Sequence, residues 1–303
     1  MHILHLIRYK NILLIILVQL LIRFALFEPF HIDVKLDTLH FFLLILTTIC
    51  IAAAGNIIND IYDIETDTIN KPDKMIVGKL ISEQAAFNLF LALNIIGVGL
   101  GFYLSHSIEK SPFFTIFVLI SATLYIYASF LKHRPLIGNI VISVLVAMSI
   151  LIVGIFDLIP AITEVNQSTQ ITFFKILVDY AVFAFLINLV RELIKDIEDV
   201  NGDYNAKMNT LPIAIGRDRA RYVAFFISLM PILAVIYYIV TYLYKQQIAI
   251  GYFLIFVLGP LLYSSIKIYN ATTKKQYHHI STGYKVIMLL GMLSLLLYPF
   301  ILK

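Results

Sequence analysis

Residues 39–67 read LHFFLLILTTICIAAAGNIINDIYDIETD, an almost wholly apolar run from Leu39 to Ile58 followed at once by Asp60, Asp63, Glu65 and Asp67. A helix needs about 20 apolar residues to cross the roughly 30 Å hydrocarbon core of a bilayer. The stretch therefore predicts a membrane helix whose end carries a cluster of acids.

Comparable runs recur at Asn11–Phe27, Ala86–Leu104, Phe113–Leu131, Leu136–Phe156, Phe173–Ile194, Tyr222–Tyr242, Ile248–Ile268 and Gly283–Leu302. With Leu39–Ile58 they predict nine transmembrane helices, an all-α polytopic membrane bundle formed as one domain over residues 1–303. Composition agrees. Of 303 residues, 60% are hydrophobic and only 14% charged, Trp is absent, and the mean hydropathy is +0.89. A soluble globular chain carries about 25% charged residues, so that class is excluded.

Charge sorts the connections. Most of the 23 Lys and Arg fall in one set of alternate loops, while the other set holds Glu28, Asp33, Asp37, Asp157 and Glu164. Basic residues stay on the cytoplasmic side, which predicts a cytoplasmic N-terminus in the plasma (inner) membrane of a bacterium or archaeon. The net charge of +4 is then a topology signal and implies no nucleic-acid partner. No small-residue cleavage site follows the first apolar run, so the first helix is expected to stay. Cys50, the single cysteine, sits in an apolar span and reads as packing.

Charged groups beside a membrane span are costly, so their clusters point to function. A second cluster, residues 191–203 (RELIKDIEDVNGD), repeats the D-x-x-D-x-x-x-D spacing of the first. Positions i, i+3 and i+7 share a helical face, so Asp60, Asp63 and Asp67 form one carboxylate ladder, and Asp196, Asp199 and Asp203 a second. Asn56 and Glu192 stand four residues upstream of each, as in a weak internal repeat. Stacked like charges repel unless a divalent cation relieves them. Mg²⁺ takes oxygen ligands, using one or two carboxylates together with phosphate oxygens. Two ladders facing each other would hold a diphosphate through Mg²⁺, with Lys and Arg neutralising the remaining charge.

At these residues the chain resembles the UbiA superfamily of intramembrane prenyltransferases. The family pattern N-D-x-x-D-x-x-x-D-x-x-N-x-P is met by Asn59, Asp60, Asp63, Asp67, Asn70 and Pro72, with Lys74 at the usual basic position. Asp199 and Asp203 satisfy the second motif, and Asp196 is additional. Residues 191–203 followed by Thr210-Leu211-Pro212 are similar to the branch that transfers a geranylgeranyl group to a glycerol-phosphate ether lipid, although Asn201 stands where that branch often has Glu. The resemblance implies nine helices around a central cavity, with both aspartate motifs on the cytoplasmic side. It also implies a polyprenyl diphosphate donor and a lipophilic acceptor met in the membrane lipid.

Such chemistry begins with ionisation of the allylic C–O bond, assisted by Mg²⁺ and cationic side chains. The six ladder aspartates are the expected metal ligands and catalytic groups, Asp67 and Asp203 acting through water. Asn56 and Asn59 are supporting polar groups. Lys71, Lys74, Lys132, Arg134, Arg191 and Lys195 are candidates for the diphosphate, although positive-inside topology alone accounts equally for Lys132 and Arg134, and Lys195 could instead pair with Asp199. Arg8, Lys10, Asn11 and Gln19 trail into the first span toward an acceptor. Tyr125 and Tyr127 are candidates for stabilising the cation through their ring faces. His278 and His279 read as solvated. An aromatic acceptor would use the same ionisation machinery, so the ladders leave the acceptor open. A cation-coupled transporter is the non-enzyme alternative, but transporter sites lie nearer the bilayer midplane. A phosphatidyltransferase of the D-G-x-x-A-R type lacks its signature here.

Overall fold

In the computed structural model, which describes residues 2–301, each of the nine runs overlaps a helix long and apolar enough to cross a membrane. The spans are α1 Tyr9–Phe30, α2 Thr38–Tyr62, α3 Glu83–Ser107, α4 Ser111–Ser129, α5 Ile137–Ala161, α6 Gln167–Asn205, α7 Arg217–Leu243, α8 Gln247–Asn270 and α9 Lys274–Phe300. Large apolar side chains such as Ile95 on α3, Val240 on α7 and Ile255 on α8 are about two-thirds exposed. In water such a surface would be a liability, whereas lipid is the solvent that accepts it. The chain is an integral membrane protein.

Two boundaries depart furthest from expectation. α6 runs 39 residues, roughly 58 Å at 1.5 Å per residue, far beyond a hydrocarbon core. Its last turns, which carry the second acid cluster, continue as helix outside the apolar run. α9 starts at Lys274 rather than Gly283, because Thr273 and Gln276 form a capping box there and Tyr277 and Ile280 supply a buried face. The expected last residue of that span, Leu302, lies outside the described residues. In the first span the α-helix gives way to a π-helical segment at Leu21–Phe27.

Two compact units are distinguished. The first gathers the chain up to Leu20 with Ile32–Lys132 and Met148–Leu177; the second gathers Leu21–His31, His133–Ala147 and the chain from Val178. Each carries one of the acid clusters.

In the first unit α2 packs most extensively on α3 and then on α4. Gly97 permits the close approach to α2, since a Cβ there would come within 2.8 Å of the Ile51 side chain and 3.2 Å of Cys50 Cβ. Cys50 is buried, in keeping with a packing role. Gln19 is fully enclosed and donates to Thr48 Oγ1 and the Ser149 carbonyl. It ties α1 to its neighbours.

In the second unit α7, α8, α9 and the distal half of α6 share an apolar core that includes Val190, Ile194, Ala224, Leu261 and Tyr284. Several buried hydroxyls are paired across it. Ser228 donates to Ser265, Tyr180 pairs with Ser294, and Tyr238 pairs with Tyr298.

Candidate functional site

The first acid cluster forms where α2 ends. Asp60 lies in the last turn of α2, but at Asp63 the backbone leaves helical geometry (φ −95°, ψ 4°) before a short helix, Ile64–Asn70, carries Asp67. The three acids therefore do not share one uninterrupted helical face, contrary to the sequence reading. Asp63 occupies the sparsely populated bridge region of backbone space. Thr66 Oγ1 donates to its carbonyl at 2.8 Å, and Asn59 Nδ2 donates to its carboxylate at 2.5 Å.

Each of these acids has a cation. Lys132 Nζ lies 2.7 Å from Asp63 Oδ1 and 3.5 Å from Asn59 Oδ1; Arg8 Nη2 lies 2.7 Å from Asp60 Oδ1; Lys71 Nζ lies 3.9 Å from Asp67. The Lys132 side chain is only 8% exposed, so its placement is more than positive-inside topology. Arg8 is delivered by a turn in left-handed backbone geometry (φ 54°), and Asn56 steadies the adjoining segment by donating to the Ile7 carbonyl at 3.0 Å. Asn56 thus supports the site through the backbone.

Charge and burial act in opposite directions on these carboxyls. Burial pushes Asp63 up, but Lys132, with Arg8 and Lys71, outweighs it and holds the group below the ordinary carboxylate range. For Asp67 burial prevails over Lys71, and the repulsion of Asp63 and Asp60 adds to it, raising the group to about 6.

Lys74, Tyr125, Tyr127 and Asn11 belong to the same unit. Lys74 is exposed in the 3₁₀ turn Pro72–Lys74. Tyr125 shares a hydroxyl hydrogen bond with Tyr62 and packs its ring near Phe90, in an open groove between α3 and α4. Tyr127 and Asn11 are half-buried.

The second cluster keeps the expected geometry, with Asp196, Asp199 and Asp203 all within α6. Its electrostatics differ from expectation. Glu192 is buried between Arg191 at 2.7 Å and Lys195 at 2.9 Å, so Lys195 turns to Glu192 rather than to Asp199. Asp196 accepts a 2.8 Å hydrogen bond from Asn139 of α5, a residue the sequence reading did not single out. Asn139 is itself buried. His278, expected to be solvated, pairs through Nδ1 with the buried Glu198 at 2.9 Å, while its own side chain stays 61% exposed. Arg134 is exposed at the approach to α5.

Among the described residues no three acids, imidazoles or thiols gather closely enough to enclose a metal by themselves. The available groups are hard carboxylate oxygens beside cations. That set fits Mg²⁺, which completes its shell with water and phosphate oxygens, and suits neither a soft metal nor an all-protein cage.

Among the described residues, nine apolar helices and two carboxylate–cation clusters at helix ends define a polytopic membrane protein equipped for an anionic, metal-chelated ligand. The pattern of the UbiA prenyltransferase family matches residues 16–282, and the chain belongs to that family. The chain is 32% identical over 246 residues to the digeranylgeranylglyceryl phosphate synthase of Thermococcus kodakarensis, covering 81% of this chain and 80% of that protein. Among solved structures, one from a study of digeranylgeranylglyceryl phosphate synthase in membranes matches with a TM-score of 0.64 at 26% identity, over 98% of this chain and 97% of the other. A UbiA homologue from Archaeoglobus fulgidus bound to GPP and Mg²⁺ shares the fold, with a TM-score of 0.57 at 15% identity, over 97% of this chain and 99% of its own.

Proposed function

We propose that this prenyltransferase moves a geranylgeranyl group from its allylic diphosphate to a glycerol-phosphate lipid with Mg²⁺ as cofactor. The observation that carries the reading is the pairing of membrane-end carboxylates with cations. Asp63 with Lys132, and Asp60 with Arg8, supply metal-binding oxygens and phosphate-binding nitrogens in the same few ångströms. The acceptor is drawn from the Thermococcus relative, and the cofactor from the Archaeoglobus structure with GPP and Mg²⁺.

Bound Mg²⁺ supplies Lewis acidity to the diphosphate oxygens. Asp60, Asp63 and Asp67 would hold it at the first cluster, and Asp196, Asp199 and Asp203 at the second, directly or through water. Lys132 and Arg8, with Lys71 and Lys74 nearer solvent, receive the negative charge that grows on the departing diphosphate as the C1–O bond breaks and its electron pair leaves. Arg191 and Lys195 serve the second cluster in the same way, aligned by Glu192. The acceptor hydroxyl oxygen then bonds to C1 and gives up its proton to the released diphosphate.

Residues 1–303 act as one prenyltransferase domain, a reading supported by a family match that runs through both compact units. The basic residues of the alternate loops support a cytoplasmic N-terminus in the plasma membrane. To test the function, purified protein is given radiolabelled geranylgeranyl diphosphate, Mg²⁺ and either geranylgeranylglyceryl phosphate or a panel of aromatic acceptors. Labelled diether lipid is the expected product; label only on an aromatic ring would overturn the acceptor.

A further inference from the structure

A groove runs along the seam of α8 and α9, on helices that carry neither acid cluster, and encloses about 220 Å³. Sites that enclose a whole small molecule run about 300–1,000 Å³, so this one suits a chain segment. Its end nearest the 271–273 turn is lined by Lys267 and His279, and its walls by Tyr263, Ile287 and Leu290. From Lys267 to Pro260 at its other end is seven residues of helix, roughly 10 Å. Gly283 keeps the middle open, facing Ser264 across the seam.

Lys267 lies over the Tyr263 ring at 5.3 Å, and among the described residues no carboxylate pairs with it. Tyr263 is 53% exposed and Val286 49%, so the apolar wall opens outward. We propose that this groove binds an anionic phospholipid of the surrounding membrane, its phosphate at Lys267 and His279 and one hydrocarbon chain along Tyr263 and Ile287. Charge complementarity selects the occupant: Lys267, close to the end of α8 at Asn270, heads an apolar channel, and each basic side chain at an anionic lipid surface is worth about a five-fold gain in binding.

The test is native mass spectrometry of the full chain in a neutral detergent, titrated with dioleoylphosphatidylglycerol or dioleoylphosphatidylcholine. The expected result is one retained phosphatidylglycerol, favoured over phosphatidylcholine, with the preference reduced about five-fold in Lys267→Gln. Gly283→Leu fills the groove, and its Cβ would sit an ordinary 3.7 Å from Ser264 Oγ, so the backbone at this position accepts a side chain. This variant should lose the retained lipid while keeping its melting temperature and its transfer activity. Equal retention of both lipids overturns the proposal, as does retention unchanged in Gly283→Leu. A dimer that dissociates in Gly283→Leu would assign the groove to a second copy instead. If Gly283→Leu fails to fold, the exposed Lys267→Gln decides alone.

Discussion

Replacing Lys132 by Ala removes the cation most deeply committed to the first acid cluster. Its Nζ stands 2.7 Å from Asp63 Oδ1, and the two side chains are 8% and 20% exposed, so solvent screens the pair little. In the resting enzyme Lys132 offsets the charge of Asp63. On the proposed reading the same ammonium then meets the charge gathering on the diphosphate during ionisation. A hydrogen bond to a charged partner is worth about 1.5–3 kcal/mol, which at about 1.4 kcal/mol per tenfold translates to a loss of roughly 10- to 150-fold in rate. Single-turnover transfer of radiolabelled geranylgeranyl groups reads that loss. The reasoning puts it in kcat, because the charge is greatest in the transition state, while KM for the diphosphate changes less. Lys132→Arg should recover part of the rate, since a guanidinium keeps the charge with a different reach. A Lys132→Ala enzyme within two-fold of wild type in kcat/KM would refute the assignment.

Three further outcomes follow from the same geometry. Asn139→Ala deprives Asp196 of its 2.8 Å donor and should lower turnover by about 10-fold, the worth of one bond to a charged acceptor, with Asn139→Asp worse because it sets a second carboxyl beside Asp196. Glu192→Ala leaves Arg191 and Lys195 without the buried carboxylate that pairs them; removing one partner of a buried pair costs about 3–5 kcal/mol, and a fall in melting temperature measures it. For Asp67, raised from 3.8 to about 6, the folded state binds its proton more tightly than the unfolded chain does. Stability from this group is therefore present below pH 3.8 and lost as pH rises through about 6. Mg²⁺ must displace that proton, so the Mg²⁺ concentration for half-maximal activity should climb as pH drops below about 6, and a flat Mg²⁺ requirement across that range would separate Asp67 from the metal.

How much of this was legible in the sequence depends on how local each feature is. The nine spans were legible because the length of an apolar run is written in consecutive residues. The start of α9 was signalled too, by Thr273 and Gln276 in capping-box spacing, but the basic residues at 274–279 masked it. The second ladder was legible because α6 stays helical through it. The first was less so, because the break at Asp63 depends on Asn59 and Thr66 bonding to that residue. The partners of the acids were the least legible. Arg8 meets Asp60 across 52 residues, Lys132 meets Asp63 across 69, and His278 meets Glu198 across 80. No spacing rule within one helix reaches that far. Lys195 shows the limit at short range, where spacing permitted Asp199 or Glu192 and the burial of Glu192 decided.

The most direct measurement is geranylgeranyl transfer from its diphosphate to geranylgeranylglyceryl phosphate by wild type, Asp63→Ala and Asp199→Ala, each assayed with Mg²⁺ and after EDTA. The account predicts diether lipid from the wild type with Mg²⁺ alone, and near-complete loss in both variants while their melting temperatures show them folded. Activity that survives EDTA, or full activity in either folded variant, would contradict it.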